Sequence, residues 1–159
     1  HLESITAKLL EMGAQIEESD DAVRVVATRR TRPTNIKTLP YPGFPTDLQS
    51  VLIAALAVAE GESIVEESIF SDRFKIAGEL NRMGADITVK GNRAYIRGVT
   101  QLYGRDVFAS DLRGGAALVL AGIMAKGETN IRNCHYIERG YEDICRDYRL
   151  LGADVSGIW

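Results

Sequence analysis

At 159 residues, with 45% hydrophobic and 26% charged side chains, the chain has the make-up of one soluble domain, or a large part of one, with apolar residues enough for a substantial core. A formal net charge of −3 argues against a nucleic-acid module, and no apolar run reaches the ~18 residues of a membrane span. Two cysteines, Cys134 and Cys145, and two histidines, His1 and His135, offer neither a disulfide framework nor a metal cluster. Residues 1–30 lack the basic-then-apolar layout of a secretory signal, so a reducing, cytoplasmic compartment is expected.

In chain order, the first segment, "LESITAKLLEMGAQIEESDDAVRVV" (2–26), reads as an amphipathic helix stopped at "MGA" and followed by a hairpin. A connector with three prolines, "LPYPGFPTDLQ" (39–49), then leads into an apolar helix over 47–59, with Thr46 as its expected N-cap. A strand, "SIVEESI" (63–69), comes next. The second helix carries Ile76, Leu80 and Met83 at helical spacing and ends at another "MGA". The hairpin "ADITVKGNRAYIRG" turns at "KGN". The order then restarts: Ser110 as expected N-cap, an apolar helix over 111–125, a strand in "TNIRNCHYI" (129–137), and a final helix ending at "LGA" (151–153).

This is an internal repeat of about 65 residues. Asp47 pairs with Asp111, Gly61 with Gly127, Arg73 with Arg139, and "GAD" at 84–86 with "GAD" at 152–154; each Gly-to-Arg spacing is twelve residues. Residues 1–30 match the second half of a unit, 46–98 make a full unit, and 110–159 most of a further one. The chain therefore starts and stops inside repeats, as a fragment of a longer protein would, with uncovered apolar surface that favours self-association. The first helix of each unit is apolar on nearly every face, so units should pack with these helices together and their sheets outside.

The chemistry-bearing residues fall at matched positions. Asp47 and Asp111, next to the expected caps, are explained at the least by compensation of the helix dipole. Arg113 breaks that rule, because it sets a cation at the positive end of a helix. Free N–H groups beside a guanidinium form an anion site suited to phosphate or carboxylate. Arg73 and Arg139, in "IFSDRF" and "YIERGY", sit between strand and second helix; surface pairing with Asp72 and Glu138 is the plain alternative. One rim then collects two aspartates and three arginines, an arrangement suited to moving protons on a phosphorylated substrate. Cys134 and Cys145 read as structural thiols. His135 beside Cys134 on a strand would face the opposite way, which argues against a Cys–His pair. "EGES" and "KGET" are helix ends, and no phosphate loop or dinucleotide fingerprint occurs.

Three stretches, "PYPGFPTDLQ", "DLRGGAALVLAG" and "YIERGYE", resemble the UDP-N-acetylglucosamine enolpyruvyl transferases, and the similarity runs along the whole chain. The resemblance implies an α/β fold, an inside-out α/β barrel of βαβαββ repeats, present as a partial barrel; the family has two such barrels with the active site between them. It implies transfer of the enolpyruvyl group of phosphoenolpyruvate to the 3-hydroxyl of UDP-N-acetylglucosamine in peptidoglycan synthesis, with no cofactor and no metal. By the same resemblance Asp47 contacts the attacking sugar hydroxyl and is a candidate base, and Asp111 is the second candidate for proton transfer. Ile69, with Phe70 beside it, matches a position whose backbone meets the nucleotide sugar. Arg73 matches a cleft arginine, and Arg113 and Arg139 match arginines that hold the phosphate and carboxylate of phosphoenolpyruvate. The family's cysteine-bearing loop and its N-terminal Lys-Asn pair have no counterpart in the sequence, so neither cysteine inherits that role. The chain is accordingly expected to need an N-terminal part of the enzyme and to be inactive alone. Two alternatives stand beside this: an enzyme like the shikimate-pathway relative, 5-enolpyruvylshikimate-3-phosphate synthase, and a non-catalytic barrel used for binding or assembly.

Overall fold

The computed structural model of the protein describes residues 2–157; His1, Ile158 at the end of the last repeat, and Trp159 lie outside it. Helix α1 (Glu3–Glu11) and the hairpin β1 (Gln15–Glu18) and β2 (Val23–Val26) form the first unit. The next begins with a two-residue strand, β3 (Ile36–Lys37), and a 3-10 turn (Thr46–Leu48) that runs into α2 (Gln49–Leu56). It continues through β4 (Glu62–Glu66), α3 (Ile76–Arg82), β5 (Asp86–Lys90) and β6 (Arg93–Arg97). The last comprises β7 (Asp106–Phe108), α4 (Leu112–Met124), β8 (Asn130–Arg132), α5 (His135–Glu138) and α6 (Ile144–Leu150). The complete middle unit is thus β-α-β-α-β-β, as the repeat predicts.

The repeat is visible in bond geometry as well as in letters. Gly13, Gly84 and Gly152 end their helices with φ of 95°, 97° and 93°. The amide of the next alanine returns each time to a carbonyl five residues back: Ala14 to Leu9, Ala85 to Leu80 and Ala153 to Tyr148, all at 3.0 Å. A side chain at such a glycine would be strained, which is why the "GA" pair recurs where each helix must stop.

In the middle sheet β3 runs parallel to β4, β4 antiparallel to β6, and β6 antiparallel to β5; β7 runs parallel to β8 in a separate pair. Alternation along these strands aims Ile36, Val65, Ile87, Ala94 and Ile96 inward. Against that face lies α2, which packs on α4, while α4 lies against β8; Ile53, Ala54, Leu56, Ala117, Leu118 and Ala121 are buried in the shared core. Alanines at the contact let the two helix axes approach, and each fully buried Leu or Ile contributes about 1.5–3 kcal/mol of transfer free energy. The apolar helices therefore sit inside and the sheets outside, and no sheet closes among the described residues.

Three local expectations are corrected. Asp111, not Ser110, is the N-cap of α4, with its carboxylate accepting from the amides of Arg113 (3.0 Å) and Gly114 (2.9 Å). Thr46 caps nothing; it lies within the 3-10 turn, and its hydroxyl donates to Glu67 (2.8 Å). The strand expected through "TNIRNCHYI" ends at Arg132, because Asn133 takes φ 62° and turns the chain into α5. Cys134 therefore precedes a short helix, its thiol donating to the Ile131 carbonyl (3.1 Å), rather than alternating with His135 along a strand. Burial, then the charge of Glu138 for Cys134 and of Asp143 for Cys145, pushes both thiols up, which suits a structural role.

Candidate functional site

Asp47 and Arg113, 66 residues apart in different units, meet at the two helix starts. The Arg113 guanidinium donates through Nε to Asp47 Oδ1 at 2.5 Å. Asp47 can reach out because it does not cap its own helix: the 3-10 turn presents the side chain, which is 63% exposed. Arg113 is 34% exposed, with its stem over the start of α4. The cation that breaks the dipole rule thus has a partner supplied by a neighbouring repeat.

The approach to Asp47 is a tight loop. Leu39 N–H donates to the Phe44 carbonyl (3.0 Å) and Gly43 N–H to the Pro40 carbonyl (2.8 Å), with the Tyr41–Pro42 peptide cis. Phe44 is buried under the loop. A Cβ at Gly43 would lie 2.4 Å from Leu39 Cβ, so only glycine closes the loop at this point. In the last unit, Gly115 lets α5 dock on α4: its Cβ would fall 2.5 Å from Ile137 Cγ1. That docking carries Tyr136 and Arg139 to the same end of the helices.

The segment after β4 holds the other expected residues. Ile69 is half-buried and Phe70 exposed, and their amides donate to Glu67 Oε1 at 2.8 and 3.1 Å. With those amides committed, the carbonyls are the backbone groups left to meet a ligand. The Arg73 guanidinium stacks over the Phe70 ring at 4.3 Å, and Arg139 lies over Tyr136 at 5.7 Å. The plain alternative for Arg73 does not hold: Asp72 pairs with Lys75 instead, at 3.0 Å. Arg139 stands between β8 and α6, as Arg73 stands between β4 and α3, with the short helix α5 inserted just before Arg139.

Two residues were missed by sequence reasoning. Lys75 is the first. Its ammonium pairs with Asp72 at 3.0 Å, and that hydrogen bond and charge contact, with smaller contributions from Asp111 and Tyr136, raise its pKa. The second is Glu67, 3% exposed, whose carboxylate accepts from Thr38 Oγ1 (2.8 Å), Thr46 Oγ1 (2.8 Å) and the amides of Ile69 and Phe70. Burial opposes its ionisation, yet the four hydrogen bonds outweigh burial and hold the carboxyl below its ordinary range. A signal existed, because Ser63, Val65 and Glu67 continue one buried face at period two. No group of His, Cys, Asp and Glu among the described residues is arranged to hold a metal ion.

The two helix starts therefore present Asp47, Arg113 and Asp111, while Lys75 pairs with Asp72 and Arg73 and Arg139 lie on aromatic rings of their own segments. The arrangement combines a carboxylate able to take a proton with cations able to hold an anion. Known proteins resemble the chain in sequence and in fold. The chain is 52% identical over 155 residues to a UDP-N-acetylglucosamine 1-carboxyvinyltransferase of Desulfofundulus thermocisternus, covering 98% of the chain and 64% of the relative. It is 53% identical over 158 residues to the protein of that name from Magnetococcus marinus, covering 99% of the chain and 38% of the relative. The chain thus spans between about a third and two thirds of these relatives' lengths. Among solved structures, the enolpyruvyl transferase NikO from Streptomyces tendae superposes with a TM-score of 0.87 at 32% identity, over 96% of the chain and 36% of that protein. EPSP synthase from Acinetobacter baumannii shares the fold, with a TM-score of 0.67 at 19% identity over 98% of the chain and 36% of that protein. Residues 1–147 match the family model of EPSP synthase (3-phosphoshikimate 1-carboxyvinyltransferase), and the chain belongs to that family.

Proposed function

We propose that the chain forms one wall of the active site of an enolpyruvyl transferase that acts on UDP-N-acetylglucosamine, at the first committed step of peptidoglycan synthesis in the cytoplasm. Phosphoenolpyruvate is the donor. Its C3 gains a proton while the sugar 3-hydroxyl oxygen bonds to C2, giving a tetrahedral intermediate. The C2–O bond to phosphate then breaks, phosphate leaves, and loss of a proton from C3 restores the enol ether. Asp47 takes the proton of the sugar hydroxyl. Arg113 and Arg139 hold the phosphate and carboxylate of the donor, with Arg73 beside the nucleotide sugar. Asp111 is the second group for proton transfer, and the Ile69 carbonyl, next to Phe70, meets the sugar nucleotide.

The observation that carries this reading is the Asp47–Arg113 pair. In the absence of donor, Arg113 holds Asp47 in place. An incoming phosphate offers Arg113 a stronger anionic partner and frees Asp47 to face the hydroxyl, so donor binding arms the base. Names of relatives near 50% identity favour UDP-N-acetylglucosamine as acceptor, while the family model's description favours shikimate 3-phosphate. Phosphate release by the full-length protein carrying this chain, measured with phosphoenolpyruvate and either acceptor, decides between them. Release with the sugar nucleotide alone supports the proposal. Release with shikimate 3-phosphate alone replaces the acceptor, and release with neither favours a non-catalytic barrel.

A further inference from the structure

The Asp47 turn leads into α2 and the 69–73 segment follows β4, and one buried side chain touches both. Oε2 of Glu67 accepts from Thr46, the residue before Asp47, and Oε1 accepts from the amides of Ile69 and Phe70. Oε1 also accepts from Thr38 Oγ1, at the end of β3; Thr38 Oγ1 in turn accepts from the Ser68 amide (2.9 Å), and the Ser68 hydroxyl donates to the Thr38 carbonyl. Thr38 is fully buried. No backbone ladder joins the 3-10 turn to the 67–70 segment, so the carboxylate supplies the link between them. A carboxylate serves better than an amide here, because all four partners donate and it has only acceptors to offer.

We infer that Glu67 is a positioning residue that fixes the distance between Asp47 and the Ile69–Arg73 segment, and so matches the site to the span of its sugar-nucleotide substrate. The inference rests on the enolpyruvyl-transfer reading for the identity of that substrate. Glu67 touches no reacting atom in this scheme; it acts through Thr46 on Asp47, and through the two amides on the segment that carries Arg73. Removing its charge loosens both arms at once.

The test uses Glu67→Gln in the full-length protein, with three readouts: amide hydrogen exchange at Ile69 and Phe70, calorimetric affinity for UDP-N-acetylglucosamine, and kcat. A charged acceptor is worth roughly a factor of ten or more over a neutral one, so exchange at both amides should quicken about tenfold and affinity fall about tenfold. A fall in kcat should accompany them, with the fold of the variant intact by circular dichroism. A folded variant with unchanged exchange overturns the clamp, and faster exchange with unchanged affinity and kcat makes it merely structural. If Glu67→Gln does not fold, Thr46→Val cuts only the arm to Asp47; kcat should drop about fivefold with a smaller change in affinity, and no drop overturns the inference. Binding without transfer by the wild type would defeat the proposed reaction but leave the affinity ratio to judge Glu67. A wild type that does not bind the sugar nucleotide defeats both.

Discussion

Asp47 and Asp111 occupy the same position in two copies of one repeat, yet the fold uses them differently. Asp111 turns back on its own helix and caps two amides. Asp47 follows a proline-braced loop and a 3-10 turn that leave its carboxylate free of α2, and its partner is the arginine two residues beyond Asp111. The difference begins in the backbone. Asp111 has the extended φ and ψ of an N-cap, −163° and 172°, whereas in the other unit that extended role falls to Pro45, one residue before Thr46. Shifting the cap by two positions turns a stabilising aspartate into a presented one. Duplication supplied two carboxylates, and the loop decided which one faces outward.

The sharpest way to break this comparison is to neutralise both in turn. Asp47→Asn should lower kcat by about 100-fold or more, the usual worth of a positioned general base, in a phosphate-release assay of the full-length protein. Its stability should move by less than about 1 kcal/mol, since the group is exposed and its ion pair is solvated. A large loss of stability with retained turnover would make Asp47 the structural aspartate after all. Arg113→Ala comes next. Loss of a group that neutralises developing charge should cost roughly 100-fold in kcat and raise KM for phosphoenolpyruvate, with folding intact by circular dichroism. Unchanged activity would return Arg113 to the role of a surface partner for Asp47.

Asp111 gives the converse test. Asp111→Ala should cost about 1 kcal/mol in denaturant unfolding, through the two amides it leaves unsatisfied, while Asp111→Asn retains most of the cap. If turnover falls in Asp111→Asn at unchanged stability, the cap has a chemical role too; if it does not, proton transfer belongs to Asp47 alone.

Much of this was legible in the sequence. The repeat could be read because its punctuation is obligatory: "GA" after a helix marks a left-handed glycine whichever copy it is in. The inside-out arrangement followed from helices with no polar face. The cap of α4 was misread by one residue because Ser110 and Asp111 are both strong caps and only the backbone angle chooses between them. The two-residue β3 and the four-residue α5 were beyond any periodicity argument, since neither completes a pattern. Asp47 and Arg113 were each singled out, but their pairing was not, because a contact across 66 residues leaves no local trace. Glu67 was not singled out within "SIVEESI", although it continues a buried face.

Glu67 also extends the comparison between the two copies. Six residues beyond Gly61 stands Glu67, and six beyond Gly127 stands Asn133, so the titratable link exists in one copy only. Asn133 donates from Nδ2 to the Ala109 carbonyl (3.4 Å), a neutral contact that pH does not alter. Glu67 differs, because its folded pKa lies below the ordinary value. A depressed carboxyl contributes stability above its unfolded pKa, about 4.3, and loses it as pH falls through that value toward the lower folded one. The stability gap between wild type and Glu67→Gln should therefore be widest near neutrality and narrow below about pH 4.3, while every other carboxylate cancels in the difference. Urea unfolding at pH 7 and at acid pH measures it. A gap that holds or widens on acidification would mean that the glutamate is buried against its charge, with the four hydrogen bonds too weak to offset desolvation.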